Sequence, residues 1–551
     1  MVAVHDPLRN EVSTVAAASA GVVSAAVALG VSEAVTGVPG PGPSLVTAVG
    51  TEFIDRFASS LKDLAVRLFG TNDKAALVVG IVVTSLVLGA VSGIVAARRF
   101  ALGTVGFVGF GAVGLWAYLR DPLGSTGTGI AAAVAAVAAG VGSLVILLRL
   151  ATRTTKSTVD HRADGAVDRA DDGRAVDGVA DGARIVAAPP SPMGIGRSHR
   201  REVLVGAGVL GVGAASTAVL GRRLRSSSSA EASRRSVAVP RPVSSRPAPT
   251  AQPFAVPGLS PYVTPNTDFY RIDTALVVPD VDARAWRLDV TGLVDRPFSL
   301  TYDDLLAMDA VEETVTLQCV SNEVGGDLVD NAVWQGVPLT ALLDRAGVHD
   351  DASQIVGRSV DRWTAGFPTD IADDGRVALV AYAMNGEPLP TRHGFPARLV
   401  VAGLYGYVSA TKWLREIELT TWDRFDGYWI SRGWAKDGPI KTMSRIDVPR
   451  GGDRLAAGRT AIAGVAWAPA RGVDMVEVRI DEGGWQRCRI GEVASENTWV
   501  QWLYEWDATP GDHTISVRAT DSAGDVQTGD VTSPAPDGAT GWHTRRVRID
   551  G

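Results

Sequence analysis

Apolar residues follow two unlike patterns along the 551 residues. In the first part of the chain they come in unbroken runs. Residues 75–97, 100–119 and 129–148 are each about 20 uncharged, mostly apolar residues, the length that crosses a bilayer core as helix. None carries the polar stripe of a helix packed on a soluble core. Residues 13–32 and 203–220 have similar length with more Ala, Gly and Ser, so five spans are expected. Between the first two spans, Phe53, Ile54, Phe57, Leu61, Leu64 and Leu68 recur at helical intervals, predicting an amphipathic helix on the outer surface.

From about residue 257 the pattern changes to short alternating stretches between turns. Trp286, Leu288 and Val290 alternate and Gly292 closes the run; PFSLTYDDLLAM then reads as a strand entering a helix. VEETVTLQCVSNEVGG brings Cys319 out of an apolar strand to a turn beside Ser321, Asn322 and Gly325. From about residue 452 the stretches TAIAGVAWA, VDMVEVRID, GWQRCRIGE, TWVQWLYEWD and HTISVRATDSAG predict an immunoglobulin-like β-sandwich. Trp485, Trp499 and Trp502 in it are candidates for either core or interface.

Composition fills in the joins. Residues 152–196 are Asp, Arg, Gly and Ala, and 222–256 are Ser, Arg and Pro; neither holds enough apolar surface to fold. The chain therefore divides into transmembrane helices (1–151), a disordered cytoplasmic loop (152–200), a last transmembrane helix (201–221), a linker (222–256), an α+β domain (257–450) and the sandwich (451–551). Residues 251–551 carry 43 Asp and Glu against 28 Lys and Arg. That acidity excludes nucleic acid as a partner, because phosphate binding needs clustered cations. Arg98, Arg99 and the arginines of 149–201 place their loops inside, and the C-terminal part outside, a cell membrane. SHRREVLVGAG, with Arg200 and Arg201, reads either as an internal twin-arginine export signal or as a plain positive-inside pair.

Two cysteines, Cys319 and Cys488, make no disulfide framework or cysteine cluster. None of the seven histidines lies in a predicted span and no CxxCH occurs, so the membrane part reads as an anchor without haem. Cys488 alternates with Gln486 and Ile490 and reads as a structural filler.

TLQCVSN, WQGVPLTALLDRAGV and MNGEPLPTRHGFPARLVVAGLYGYVSATKWL follow the order and spacing of the sulfite oxidase family, which the chain resembles over residues 257–545. The resemblance implies a molybdopterin domain of α+β fold and a dimerisation sandwich. It implies that Cys319 ligates molybdenum, as a soft thiolate suits. It also places His393 and Arg398 on the pterin and its phosphate, with Ser409, Thr411 and Lys412 on the same cofactor, although the spacing from Gly406 is one residue longer than in sulfite oxidases. Lys412 is one of only six lysines. In TPNTDFYRID, Asn266, Phe269, Tyr270 and Arg271 line the pterin or metal, with Arg271 at the position of a substrate-anion arginine. Asp361 matches a cofactor-contacting aspartate.

Where the family carries an arginine pair after the cysteine, this chain has Glu323 and Val324, and Trp434 stands near the place of the active-site tyrosine. Fewer converging cations weaken the case for a small dianion such as sulfite. The activity expected is oxygen-atom transfer at molybdenum, coupled to two electrons, on a small sulfur or nitrogen compound. Electrons pass to an external redox protein or a quinone-linked carrier, and a homodimer forms through the sandwich. Two rivals are a Cys319/His393 hydrolase and a non-catalytic membrane-anchored binding protein using the sandwich.

Overall fold

The computed structural model describes residues 12–37, 42–56, 73–167, 229–246, 248–249 and 253–551, with the backbone alone at 73, 153–167 and 229. Contacts divide the chain into two units, Met1–Ser227 and Ser228–Gly551.

Among the described residues of the first unit four helices, Thr14–Gly37, Lys74–Arg98, Phe100–Arg120 and Thr126–Thr152, are long and apolar enough to cross a membrane. Val79, Val83, Val87 and Val91 stand half or more exposed on one of them, a stripe suited to hydrocarbon surroundings. The helices Thr14–Gly37 and Asp73–Arg98 approach through glycine. A Cβ on Gly21 would fall 2.0 Å from the Gly89 carbonyl oxygen, so a larger residue would force the pair apart. The expected span at 203–220 lies outside the described residues, as does the amphipathic segment beyond residue 56; residues 45–56 are helical. The helix that begins at Thr126 continues to Val167, past residue 152 where the loop was expected to begin.

The second unit holds four sheets. Its strands are β1 (Ser244–Arg246), β2 (Arg287–Gly292), β3 (Phe298–Thr301), β4 (Val311–Gln318), β5 (Val329–Pro338), β6 (Gln354–Ser359), β7 (Thr364–Pro368), β8 (Ala378–Met384), β9 (Glu387–Pro388), β10 (Arg398–Val401), β11 (Leu414–Thr420), β12 (Met443–Val448), β13 (Arg454–Ala456), β14 (Gly458–Trp467), β15 (Val473–Ile480), β16 (Gln486–Arg487), β17 (Arg489–Ile490), β18 (Val500–Ala508), β19 (Gly511–Asp521) and β20 (His543–Asp550). One sheet runs β1-β4-β5-β8-β10 with β9 on β8, and a second runs β3-β2-β11-β6-β7. Between them the short helices Tyr302–Leu306 and Leu339–Ala346 bury their apolar faces. Thr301 and Asp304 close a capping box at the first, which is why the strand-to-helix switch read from PFSLTYDDLLAM falls there.

The stretch expected to be a linker joins this fold from residue 229. The helix Ser229–Ser236 buries Ala230, and β1 runs parallel to β4 with Ser244 opposite Val311. All three β1 residues are exposed. The strand is held by its backbone ladder and by the Ser245 hydroxyl, which donates to Glu312 Oε1 at 2.7 Å, with no buried side chain, so its polar composition gives no sign of it.

The other two sheets, β12-β14-β18-β17 and β13-β20-β19-β15-β16, enclose one core made from Ile462, Trp502, Val478, Val517 and Val547 among others. The sandwich begins with β12, ahead of the boundary expected at 451. Trp499 and Trp502 are buried within the chain, and Trp485 packs against Trp542 with ring centroids 4.9 Å apart. Val465, Trp467 and Trp499 belong to the core of the α+β sheets, so the two halves share buried surface. Cys488 is buried in the sandwich core, and burial pushes its thiol up to about 12.

Candidate active site

Six consecutive buried residues from Glu313 to Gln318 lead β4 to Cys319, a cysteine in no disulfide and 9% exposed. The Cys319 amide donates to the Leu328 carbonyl at 2.9 Å, and its carbonyl accepts from the Asn322 amide at 3.0 Å. Asn322 Oδ1 accepts in turn from the Leu328 amide at 2.9 Å. The sulfur thus stands on a closed loop. The sandwich half holds that loop from outside: Trp467 Nε1 donates to Gln318 Oε1 at 2.7 Å, and Arg445 donates to the Gly326 carbonyl at 2.8 Å. His543 lies so close to Gly325 that a Cβ there would come 2.3 Å from its ring, and Gly325 also takes a positive φ of 76°.

Tyr270 lies within electrostatic reach of Cys319. Its amide donates to Asp330 Oδ2 at 2.6 Å and its ring stacks on Phe269, centroids 5.3 Å apart. Burial raises its hydroxyl well above the usual phenol range, with the Cys319 thiol adding to the rise and Arg398 opposing it. Burial likewise pushes Asp330 up to about 6, against the hydrogen bonds from Tyr270 and Thr264.

Arg398 is 5% exposed. Its Nη1 donates to the His393 carbonyl at 3.1 Å, and its guanidinium lies 5.0 Å from the centre of the Trp334 ring. No carboxylate pairs with it among the described residues, and burial lowers it to about 10. Lys412 Nζ donates to the Ile272 carbonyl at 3.1 Å and to Asp273 Oδ2 at 2.9 Å. Arg271 Nε donates to the same Asp273 oxygen at 2.8 Å. Burial brings Lys412 down to about 8 although Asp273 opposes the shift. Asp361 is raised by burial, and both Asp273 and Lys412 act on it. Gly394, at φ 114°, lets the His393 turn close on the Lys412 backbone.

His393 is buried, edge-on to Phe269 at 5.6 Å, with Nε2 3.0 Å from the Asn266 carbonyl. A carbonyl only accepts, so Nε2 carries the proton and Nδ1 remains an acceptor. Burial, reinforced by Arg398 and Lys412, lowers the ring to about 3. Asn266 is tied to its neighbours: its amide donates to Glu387 and Met384, and its oxygen accepts from Asn385.

Ser409 and Thr411 turn their hydroxyls inward, to the Tyr405 and Gly357 carbonyls at 3.1 and 3.4 Å. Trp434 packs between Tyr407 and Trp429, at 5.8 and 6.4 Å. The structure thus gathers Cys319, Tyr270 and Arg398, and next to Arg398 the set His393, Lys412, Arg271 and Asp361. Ser409, Thr411 and Asn266 serve the frame. The residues not anticipated are Asp273, Asp330, Tyr405, Arg445 and His543. Tyr405 is 1% exposed, sits within electrostatic reach of Cys319, and abuts Gly538 of the sandwich half.

In this cleft a buried guanidinium has no carboxylate partner among the described residues, and it and a thiol both act on Tyr270. An anionic, phosphate-bearing group with a soft metal fits those donors.

The description "Oxidoreductase molybdopterin binding domain" matches residues 275–429. "Uncharacterized oxidoreductase YuiH" of Bacillus subtilis (strain 168) is 38% identical over 178 residues, 31% of this chain and 85% of that one. The chain belongs to the sulfite oxidase family of molybdopterin-dependent oxidoreductases. Human mitochondrial sulfite oxidase is 30% identical over 334 residues, 52% of this chain and 60% of the human one. The tomato nitrate reductase [NADH] is 33% identical over 171 residues, 26% and 19% of the two chains. The chain spans less than two thirds of the human enzyme and about a fifth of the tomato one. As a member of the family it is an enzyme, and its cofactor is molybdenum-molybdopterin.

Proposed function

We propose that this enzyme is anchored in a membrane by its N-terminal helices and catalyses two-electron oxygen-atom transfer on a small sulfur or nitrogen compound. The observation that carries the reading is Arg398, buried with no carboxylate partner among the described residues, whose guanidinium acts on the same Tyr270 as the Cys319 thiol. A guanidinium buried without a counter-ion is costly unless an anion completes it. Arg398 and Lys412 would hold the anionic part of the cofactor, His393 Nδ1 would accept a hydrogen bond from it, and Cys319 would supply the metal with a thiolate. When bound, the cofactor supplies the two-electron chemistry. The chain would fix its position, with Tyr407 packed against Tyr405 and Trp434 and with Glu323 and Val324 standing in place of an arginine pair after the cysteine. Fewer converging cations favour a substrate less charged than sulfite. Electrons leave to a separate redox carrier.

A Cys319/His393 hydrolase fits less well. His393 spends its Nε2 proton on Asn266, and a ring held near 3 is a poor base at neutral pH.

The test is the molybdenum content of residues 229–551 produced in a host that makes the pterin. Wild type should bind close to one molybdenum per chain. Cys319→Ala should keep the pterin and lose most turnover toward a panel of sulfur and nitrogen compounds. A metal-free wild type sinks the proposal.

A further inference from the structure

The helix Ser229–Ser236 lies ahead of residues 275–429, the stretch that matches the molybdopterin domain, and nothing in its sequence, SAEASRRS, announces a site. It nevertheless packs on the turn Thr391–His393. Two bonds seat it: the Ala230 amide donates to Asp280 Oδ1 at 2.6 Å, and the Ala283 amide donates to the Ser233 hydroxyl at 3.3 Å. Neither involves an arginine.

Arg234 reaches from that helix to the hairpin of β8 and β9, whose turn residues Asn385 and Gly386 both take positive φ, 52° and 80°. Arg234 Nε donates to the carbonyls of Pro388 and Leu389 at 3.1 and 2.9 Å, and Nη2 donates to Glu387 Oε2 at 2.8 Å. Consecutive residues of one strand end thus share a single guanidinium, whose planar fork fixes direction as well as distance. The side chain is 15% exposed. An ion pair with half-exposed Glu387 alone would be worth little. The two carbonyls make the contact a clamp.

Glu387 carries the contact onward. Its other oxygen, Oε1, accepts from Asn266 Nδ2 at 2.6 Å, and Asn266 Oδ1 accepts from Asn385 at 2.8 Å, so one hairpin holds the whole carboxamide. The Asn266 backbone carbonyl then accepts from His393 Nε2 at 3.0 Å, which leaves Nδ1 as the acceptor of the ring. Leu389, gripped directly, leads through Pro390 into the turn that carries His393. Arg235, next in the chain, shares none of this. It pairs with Glu231 on its own helix, and its side chain is 76% exposed.

We infer that Arg234 is a positioning residue for the cofactor, setting the ring of His393 through Glu387 and Asn266. This rests on the proposed function above, in which His393 Nδ1 meets the cofactor. A ligand-facing ring is only as well placed as the groups behind it, and here those groups end on a helix outside the matched domain.

The full chain is compared as wild type, Arg234→Ala, Glu387→Gln and Arg235→Ala. In cofactor-free protein the ring nitrogen resonances of His393, assigned by their absence from His393→Gln, report its tautomer. In molybdenum-loaded protein the metal retained through successive gel filtrations gives the rate of loss. Wild type and Arg235→Ala should show one Nε2-protonated tautomer and equal retention. Arg234→Ala should show two tautomers in exchange and lose molybdenum about tenfold faster. Its cofactor-free thermal midpoint should stay within about two degrees of wild type. Glu387→Gln, which can accept from only one of its two donors, should fall between. An unchanged tautomer and rate in Arg234→Ala overturn the inference. Equal changes in Arg235→Ala overturn it too, since the charge of the helix would then be the cause. So does a larger fall of the cofactor-free midpoint, which would make Arg234 a prop of the fold. A ring that changes while retention does not would overturn instead the proposed contact of His393 with the cofactor, and a wild type that takes up no molybdenum the proposed function as a whole.

Discussion

At the scale of single residues, the buried bases of this site are held uncharged while its cations are kept partly unpaired. His393 has an ordinary value near 6.5 when exposed and about 3 in the fold. A histidine with a lowered folded value binds fewer protons than the unfolded chain between those limits, so it favours the fold above pH 6.5 and loses that contribution as pH falls toward 3. The effect is on the order of several kcal/mol at most. His393→Gln, whose amide can replace the bond to Asn266, should flatten the fall of the thermal midpoint between pH 7 and 4; an unchanged slope would deny the neutral ring. Lys412 gives the opposite limb. Its ammonium is held near 8, and an anionic cofactor favours the charged form, so cofactor uptake should weaken as pH rises through 8. Arg stays charged there. Lys412→Arg should therefore load molybdenum at pH 9 about as well as at pH 7, whereas wild type should load several-fold less, measured as metal retained after gel filtration. The sequence announced these two residues, with Cys319 and Arg398, because a spaced motif surrounds each. It was silent about Asp273, which lies inside a motif but acts through Lys412, a residue far along the chain. Nothing in TPNTDFYRID says that its last carboxylate answers a lysine.

At the scale of elements, periodicity was a good guide wherever side chains do the packing. The alternation at 286–292 became β2 with Leu288 and Val290 fully buried, and the five stretches of the C-terminal part became β14 to β19. It failed at β1, whose exposed Ser and Arg residues are tied to β4 through the backbone ladder and through polar side chains, Ser245 Oγ donating to Glu312 Oε1 at 2.7 Å. Because β4 ends at Gln318, one residue before Cys319, that edge has a consequence. A chain beginning at residue 257 retains every cofactor motif but leaves the outer edge of β4 unpaired, an invitation to edge-to-edge association. We expect it to melt several degrees lower than a chain beginning at 229 and to aggregate at concentrations where the longer one stays monodisperse, by scattering during a thermal ramp. Equal behaviour would show that β1 is dispensable.

At the scale of the whole molecule, the boundary expected at 451 does not divide two independent bodies. Trp467 and Trp499 are buried in the core of the α+β sheets, and Arg445 reaches across to Ser260 and Gly326. Residues 229–551 should therefore unfold in one cooperative heat-capacity transition, and cutting after residue 442 should leave no folded fragment on either side, since each would expose tryptophan surface of roughly 150–250 Å² per ring. Two resolved transitions would count against this. Composition could not reveal the shared core, because a buried tryptophan reads the same whichever neighbour covers it.

His543 presses on Gly325, and Gly538 closes on Tyr405. Both contacts come from residues translated more than two hundred codons after Cys319. On the ribosome, a nascent chain that already displays the thiol, the histidine turn and the lysine still lacks the back of its pocket. Metal insertion must therefore wait for release of residues 530–550. A premature stop codon in that stretch would give a protein that carries every recognisable signature of the enzyme and none of its metal.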